Sequence, residues 1–327
     1  MLNITDLYFS FYTPAGEVRA LNGVTLEVGA GEVVGVVGES GSGKSVTASV
    51  VAGLTQHPGR VKSGQVVFDG RDILNTSEKE MRRIRGGEIS MIFQDPMTSL
   101  NPVFTIGNQL IETIRLHTDM DSGAAWTHAV HMLELVGIPN PDLRMKQYPH
   151  ELSGGMRQRT MIAMALSCQP KLLIADEPTT ALDVTVQAQI LDLMKNLRRE
   201  TNAAVILITH DLGIVADICD KVTVMYSGIV VERGTVDEIF GSIAHPYTQG
   251  LLGCLPRLDS DSTRKLEPIE GQPVDLLNMP EGCPFAPRCK HTMQICINKL
   301  PPEFELSESH TSRCWLHTIP QDGGVSK

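Results

Sequence analysis

The 327-residue chain contains no apolar run approaching the roughly 18–20 residues a helix needs to cross a bilayer. Its opening, MLNITDLYFSF, lacks the basic stretch and long apolar core of a secretory leader. Positive charge is in deficit: 28 Lys and Arg against 38 Asp and Glu give a net charge of −10. An acidic chain repels phosphate backbones, which argues against nucleic acid as a partner. No internal repeat is visible, and cysteine is sparse. Of the seven, Cys168, Cys219 and Cys254 stand among apolar residues and read as buried or half-buried thiols. With 42% apolar and 20% charged residues, the composition is that of a globular protein with room for about two domains. The expected location is the cytoplasm, with any membrane role peripheral.

What the chain does have centres on Val33 to Leu54. Val33-Val34-Gly35-Val36-Val37 reads as a buried parallel strand. Gly38-Glu39-Ser40-Gly41-Ser42-Gly43-Lys44-Ser45 then gives a complete G-x-x-x-x-G-K-S phosphate loop, and Ala48 to Leu54 continue as a helix. Gly38, Gly41 and Gly43 let the backbone wrap an anion and turn its N–H groups inward. The helix that follows points its positive end at that anion. Lys44 can reach the β- and γ-phosphates, and the Ser45 hydroxyl can ligate Mg²⁺. The loop therefore binds a nucleoside triphosphate, without saying what the energy is used for.

The rest of the chain supplies candidates in order. Residues 2 to 37 read as β-structure with a turn at Thr13-Pro14-Ala15-Gly16. Phe11 or Tyr12 could stack on a base, and core packing explains them equally well. Gly64 to Phe68 is a short strand. Ile89 to Phe93 is another; it ends at Gln94, at the strand end where ligands bind in a parallel sheet. From about residue 97 to 165 the apolar spacing turns helical, as in Ile106, Leu110 and Ile114. Within it, Ser153-Gly154-Gly155 precedes a helix expected over Gln158 to Ser167, a second potential anion site or an ordinary cap.

Leu172 to Asp176 reads as a buried strand followed by Glu177. Asp176 is placed to hold Mg²⁺, and Glu177 to orient or deprotonate a water. Asp183 opens a helix to about Glu200. The strand Ala204 to Thr209 ends at His210, and a hairpin turns at Ser227-Gly228. Residues 256 to 282 read as a linker or extended arm, and Gln321 to Lys327 as a disordered tail. Between them lie Cys283, Cys289, Cys296 and Cys314, separated by 5, 6 and 17 residues. Four thiolates are a full ligand set for zinc or an iron–sulfur cluster. The tight C-x₂₋₄-C knuckle of structural zinc sites is missing, and the wider spacing suits a larger object such as a cubane. Both metals stay open on the residues alone.

Over residues 1 to about 255 this constellation resembles the nucleotide-binding subunit of an ABC transporter. Gly38–Ser45 resembles the Walker A loop, Gln94 the Q-loop and Leu152–Met156 the signature, with Met156 where many members have Gln. Leu172–Asp176 resembles Walker B, Glu177 the catalytic glutamate, Ala181–Asp183 the D-loop and His210 the H-loop. His245-Pro246-Tyr247-Thr248 and the cysteine-bearing extension resemble the oligopeptide/dipeptide/nickel importers. The resemblance implies an α/β phosphate-loop (RecA-like) core over 1–255, with a helical subdomain at about 97–165 and a small extension over 256–327. It implies ATP and Mg²⁺ as cofactors, with Ser45, Gln94 and Asp176 around the metal. Glu177, His210 and Gln94 serve hydrolysis, and Ser153, Gly154, Gly155 and Asp183 act at composite sites. It favours a 4Fe–4S cluster over zinc on the four cysteines. The implied partners are a sister ATPase subunit in a heterodimer, two integral permeases and an extracytoplasmic substrate-binding protein, with the chain on the cytoplasmic face of the membrane.

Other readings explain less. A nickel or other small-solute importer would use the same motifs. A DNA-repair or translation ATPase would carry a long coiled coil or two nucleotide domains. A pure metal or redox module would leave everything before residue 256 unexplained.

Overall fold

The computed structural model describes residues 1–95, 99–179, 184–254 and 268–318. Three short, uninterrupted apolar segments form its centre: β3 (Val33–Val37), β7 (Leu172–Asp176) and β8 (Ala204–Ile208), buried at every position. Such strands have no polar face to give to water, so they pair in parallel and are covered on both sides. β3 pairs with β8, β8 with β7, and β7 with β6 (Ile89–Ile92), all in parallel. On the other side of β3 lies β9 (Lys221–Tyr226), also parallel, which turns back into β10 (Ile229–Thr235). Ser227 and Gly228 make that turn with φ of 46° and 77°, the left-handed pair a tight hairpin demands.

A second, antiparallel sheet is built from β1 (Leu2–Thr13), β2 (Gly16–Val28), β4 (Gly59–Phe68) and β5 (Arg71–Asp72). Leu2, Ile4, Leu7 and Phe9 of β1 are fully buried. They share one apolar cluster with Val34, Val36, Ile174, Ile206 and the helix Lys44–Val51. β4 starts at Gly59, earlier than the expected Gly64, because β1 offers a paired edge along its whole length. The other face of the parallel sheet shares a cluster with the helices Ile106–His117, Ser122–Leu135 and Gly154–Leu166. A helix also spans Val184–Thr201. The helix expected from Gln158 begins four residues earlier, at Gly154: Ser153 caps it by accepting the Met156 N–H at 3.3 Å. The cap outweighs the poor helix propensity of two glycines.

The extension joins the main sheet. β12 (Thr311–Ser312) pairs with β10 and carries β11 (Phe304–Glu305), so the sheet order is β11-β12-β10-β9-β3-β8-β7-β6. Residues 268–282 form no strand or helix, in keeping with an extended arm, and Arg19 donates its N–H to the Leu276 carbonyl. Tyr226, Tyr247 and Phe285 pack tilted and edge-to-face, with centroids 4.6–5.3 Å apart, in a third cluster that also takes in Cys283 and Cys289.

Glu232 of β10 ties the extension down. Its carboxyl is fully buried and accepts from the Ala244 and His245 N–H groups (2.8 and 2.9 Å) and pairs with His310 Nε2 (2.8 Å). Removing it leaves three polar groups without this partner, two of them on the buried His245 and His310. Glu232→Ala should cost about 3 kcal/mol in denaturant unfolding and release the C-terminal segment to protease earlier. An unchanged midpoint and cleavage pattern would show that the carboxyl does not anchor the extension.

Candidate nucleotide site

Parallel pairing puts the carboxyl ends of β3, β6, β7 and β8 at one edge of the sheet. Each of the four strands delivers one functional segment there: the phosphate loop, Gln94, Asp176-Glu177 and His210.

The loop is held by its glycines. Gly38, Gly41 and Gly43 have φ of 150°, 78° and 100°, the region L side chains avoid. A Cβ on Gly43 would also fall 2.8 Å from the Leu21 side chain and 2.9 Å from the Ala20 carbonyl. The β9–β10 turn braces the loop from behind, Gly228 N–H donating to the Ser42 carbonyl at 3.0 Å. Lys44 is 7% exposed. Its ammonium donates to the Gly38 and Glu39 carbonyls (2.7 and 2.9 Å) and to Ser42 Oγ (3.4 Å). Burial lowers its pKa, while Glu177, Asp176 and Glu39 pull it back up. Ser40, Gly41 and Ser45 line the exposed lip.

Asp176 is buried at the end of β7, and burial raises its pKa against a hydrogen bond from Ser45 and the field of Lys44. Its Oδ1 is buried and has no hydrogen-bond partner. A cornered carboxyl with one idle oxygen beside a serine hydroxyl is a fitting donor set for a hard divalent cation.

Glu177 sits in left-handed conformation, φ 47°, its N–H bound to the Ile208 carbonyl at 2.8 Å. Strain of this kind persists where surrounding contacts impose it. Gln94 Nε2 donates to Glu177 Oε2 at 2.9 Å, and His210 Nδ1 stands 3.5 Å from Oε1. Gln158, on the helix capped by Ser153, donates to the Pro178 carbonyl. Ser153 and Gly154 are exposed, so this helix start is open to a ligand. Asp183 lies outside the described residues.

Phe11 is half-buried, edge-on to Phe9 at 5.0 Å; Tyr12 is exposed with the Arg60 guanidinium over its ring. Cys168 and Cys219 are half-buried thiols, and burial pushes Cys219 up to about 12. Sequence reasoning missed Tyr247 Oη, which accepts the Glu39 N–H at 2.8 Å from 208 residues away. His245-Pro246 was the available signal, since Pro246 opens the helix that carries Tyr247.

The four C-terminal cysteines give a mixed result. Among the described residues no group of three or more His, Cys, Asp or Glu is arranged to hold a metal ion. The thiols are nevertheless close enough to act on one another. Burial first, then Cys296 and Cys314, pushes Cys283 up to about 11. Burial, then Cys289 and Cys296, does the same to Cys314. Cys289 is raised by burial and by Cys296, and its sulfur accepts the His291 N–H at 3.4 Å.

The ABC transporter family model matches residues 21–180, and that of the oligopeptide/dipeptide transporter C-terminal region matches 231–296. The oligopeptide transport ATP-binding protein OppD of Bacillus subtilis is 53% identical, over 97% of this chain and 88% of its own length. The dipeptide transport ATP-binding protein DppD of the same organism is 53% identical, over 97% and 94%. OppD of Salmonella typhimurium is 54% identical, over 96% and 93%. Among solved structures, the dimeric post-hydrolysis state of the ATP-binding cassette MJ0796 bound to ADP and Pi superposes with a TM-score of 0.66 at 26% identity, covering 72% of this chain and 99% of the cassette. With a phosphate loop, a paired Asp-Glu and this end-to-end similarity, the chain belongs to the family of ATP-binding ABC ATPases of oligopeptide and dipeptide transporters.

Proposed function

We propose that this chain hydrolyses ATP to drive import of dipeptides or oligopeptides through membrane permeases. The observation that carries the reading is the convergence of Gln94 and His210 on Glu177, beside Lys44 and Asp176, in a chain similar along its whole length to peptide-transport subunits. The nucleotide unit is residues 1–255, with the helical subdomain at about 97–165, and the extension is 256–327. Phe11 stacks on the base. Lys44 turns its ammonium from the Gly38 and Glu39 carbonyls to phosphate oxygens, and the loop N–H groups take the rest of the charge. Ser45, Asp176 and Gln94 would hold Mg²⁺, which when bound would supply positive charge against the phosphates. Glu177 orients the attacking water and accepts its proton, and His210 contacts the γ-phosphate. Ser153, Gly154 and Gly155 act on the nucleotide of a sister subunit, and Asp183 links the two sites.

The helical subdomain supplies a surface for two permeases. Val103 and Leu116 are each 71% exposed, and a cavity of about 400 Å³ opens between Asn108, Ile111, Glu112, Arg115 and Leu116. The exposed Leu116 on the rim of that cavity supports a docking role. The chain then sits on the cytoplasmic face of the membrane, fed by an extracytoplasmic binding protein.

Glu177→Gln keeps shape but cannot take a proton. It should bind ATP and hydrolyse it ~10²–10⁴-fold more slowly, and should fail to restore peptide uptake to a deletion strain. Normal turnover by this variant would remove Glu177 as the base, and normal peptide uptake in the deletion strain would remove the cargo.

Asp176 gives a second test with a worked sign. Its folded pKa is raised, so the fold is penalised once pH rises above the unfolded Asp range. Asp176→Asn should therefore melt higher than the parent at neutral pH without nucleotide, yet lose Mg²⁺-dependent hydrolysis. A lower melting temperature in metal-free buffer would contradict the burial argument.

The four cysteines are proposed to hold a 4Fe–4S cluster that folds the extension, with zinc as the alternative. What supports this is four mutually interacting thiols in a segment with little core, one of them already accepting an N–H. Ligands of a cubane stand farther apart than ligands of one ion, which fits thiols that interact without closing on a point. Anaerobically purified protein should be brown and contain iron and acid-labile sulfide, and Cys289→Ser should bleach it. Stoichiometric zinc would replace the cluster, and metal-free folded protein would end both readings.

A further inference from the structure

The extension reaches the phosphate loop through one residue that no motif singles out. Arg288, just before Cys289, forms a two-pronged pair with Glu39, the second residue of the loop: Nη1 to Oε2 at 2.6 Å and Nη2 to Oε1 at 3.0 Å. Its other donors are spent as well, on Tyr226 Oη (3.3 Å), the Ile269 carbonyl (3.1 Å) and the Glu270 carbonyl (3.0 Å). The arginine side chain is 4% exposed. Two residues 249 positions apart thus meet in a partly buried, fork-to-fork pair, the geometry in which arginine discriminates most strongly.

Glu39 is the hinge of this arrangement. Its carboxylate accepts from Arg288, its N–H donates to Tyr247 Oη, and its carbonyl accepts from Lys44 Nζ. The same carboxylate acts on Lys44 through space. An unpaired carboxylate at this position would share the field of the Lys44 ammonium with the incoming phosphates, and like charges in a partly buried site repel. The Arg288 guanidinium cancels that charge and fixes the first turn of the loop.

We infer that Arg288 is a positioning residue for nucleotide binding: by neutralising and orienting Glu39, it gives the phosphate loop its affinity for ATP, so that docking of the C-terminal extension sets how tightly this subunit holds nucleotide. The inference rests on the loop being the ATP site. It asks nothing of the metal on the cysteines.

The test uses the full chain, with Mg²⁺·ATP affinity and turnover measured separately. Arg288→Gln should weaken ATP binding about tenfold and raise KM, with kcat at saturation within about twofold. Glu39→Gln in the Arg288→Gln background removes the stranded carboxylate and should recover affinity to within about threefold of the parent. A purely structural role predicts no such rescue, since the double variant lacks the whole tie. Arg288→Lys keeps charge but loses the fork and should fall between parent and Arg288→Gln, which serves if Arg288→Gln does not fold. Unchanged ATP affinity in Arg288→Gln or Arg288→Lys, or a double variant as weak as the single, overturns the inference. Failure of the parent chain to bind ATP, or full binding by Lys44→Ala, would instead overturn the assignment of the loop.

Discussion

A buried ammonium has to be solvated by protein atoms, and the shape of the nucleotide site follows from meeting that need for Lys44. Two carbonyls and a hydroxyl surround its Nζ, and the loop can present them only because Gly38, Gly41 and Gly43 take conformations closed to other residues. Burial lowers the pKa of the lysine, and the carboxyls of Glu177, Asp176 and Glu39 oppose that shift. Each acid is in turn constrained from elsewhere: Glu177 by Gln94, Asp176 by Ser45, Glu39 by the C-terminal extension. The site is an electrostatic balance in which no member is positioned by its own segment alone.

The parts legible in the sequence are those where local pattern and global fold coincide. Val33–Val37, Leu172–Asp176 and Ala204–Ile208 are apolar at nearly every position, and that alone demands strands covered on both faces. Once they are parallel, the residues after them must share an edge, which is why Gln94, Glu177 and His210 could be gathered before their distances were known. Boundaries were harder where a tertiary contact outweighed propensity. Gly59–Ser63 became strand because β1 pairs with it, and Gly154-Gly155 became helix because Ser153 caps it. The pairing of Arg288 with Glu39 left no trace in the sequence, since nothing local links positions 249 apart.

One connection runs between the helix capped by Ser153 and Glu177. Gln158, one turn into the helix that Ser153 caps, is 1% exposed and bonded to the carbonyl of Pro178. Pro178 follows Glu177, whose backbone is already in a costly conformation. A shift of that helix therefore reaches the Glu177 carboxylate through one hydrogen bond and one peptide unit, a short and stiff route between the exposed Ser153 helix start and the sheet edge.

The strand β12 has a consequence for the integrity of the fold. By pairing with β10, with Arg313 N–H donating to the Val231 carbonyl at 2.8 Å, it occupies the margin of a sheet whose outer strand begins Ile229-Val230-Val231. An apolar, β-branched margin with unpaired N–H and C=O groups is an invitation to any passing chain. The extension thus works as a selvedge that stops the sheet from growing, and a fragment trimmed to the nucleotide-binding core would lose the Arg288 tie to Glu39 and also gain a surface on which copies of itself could polymerise.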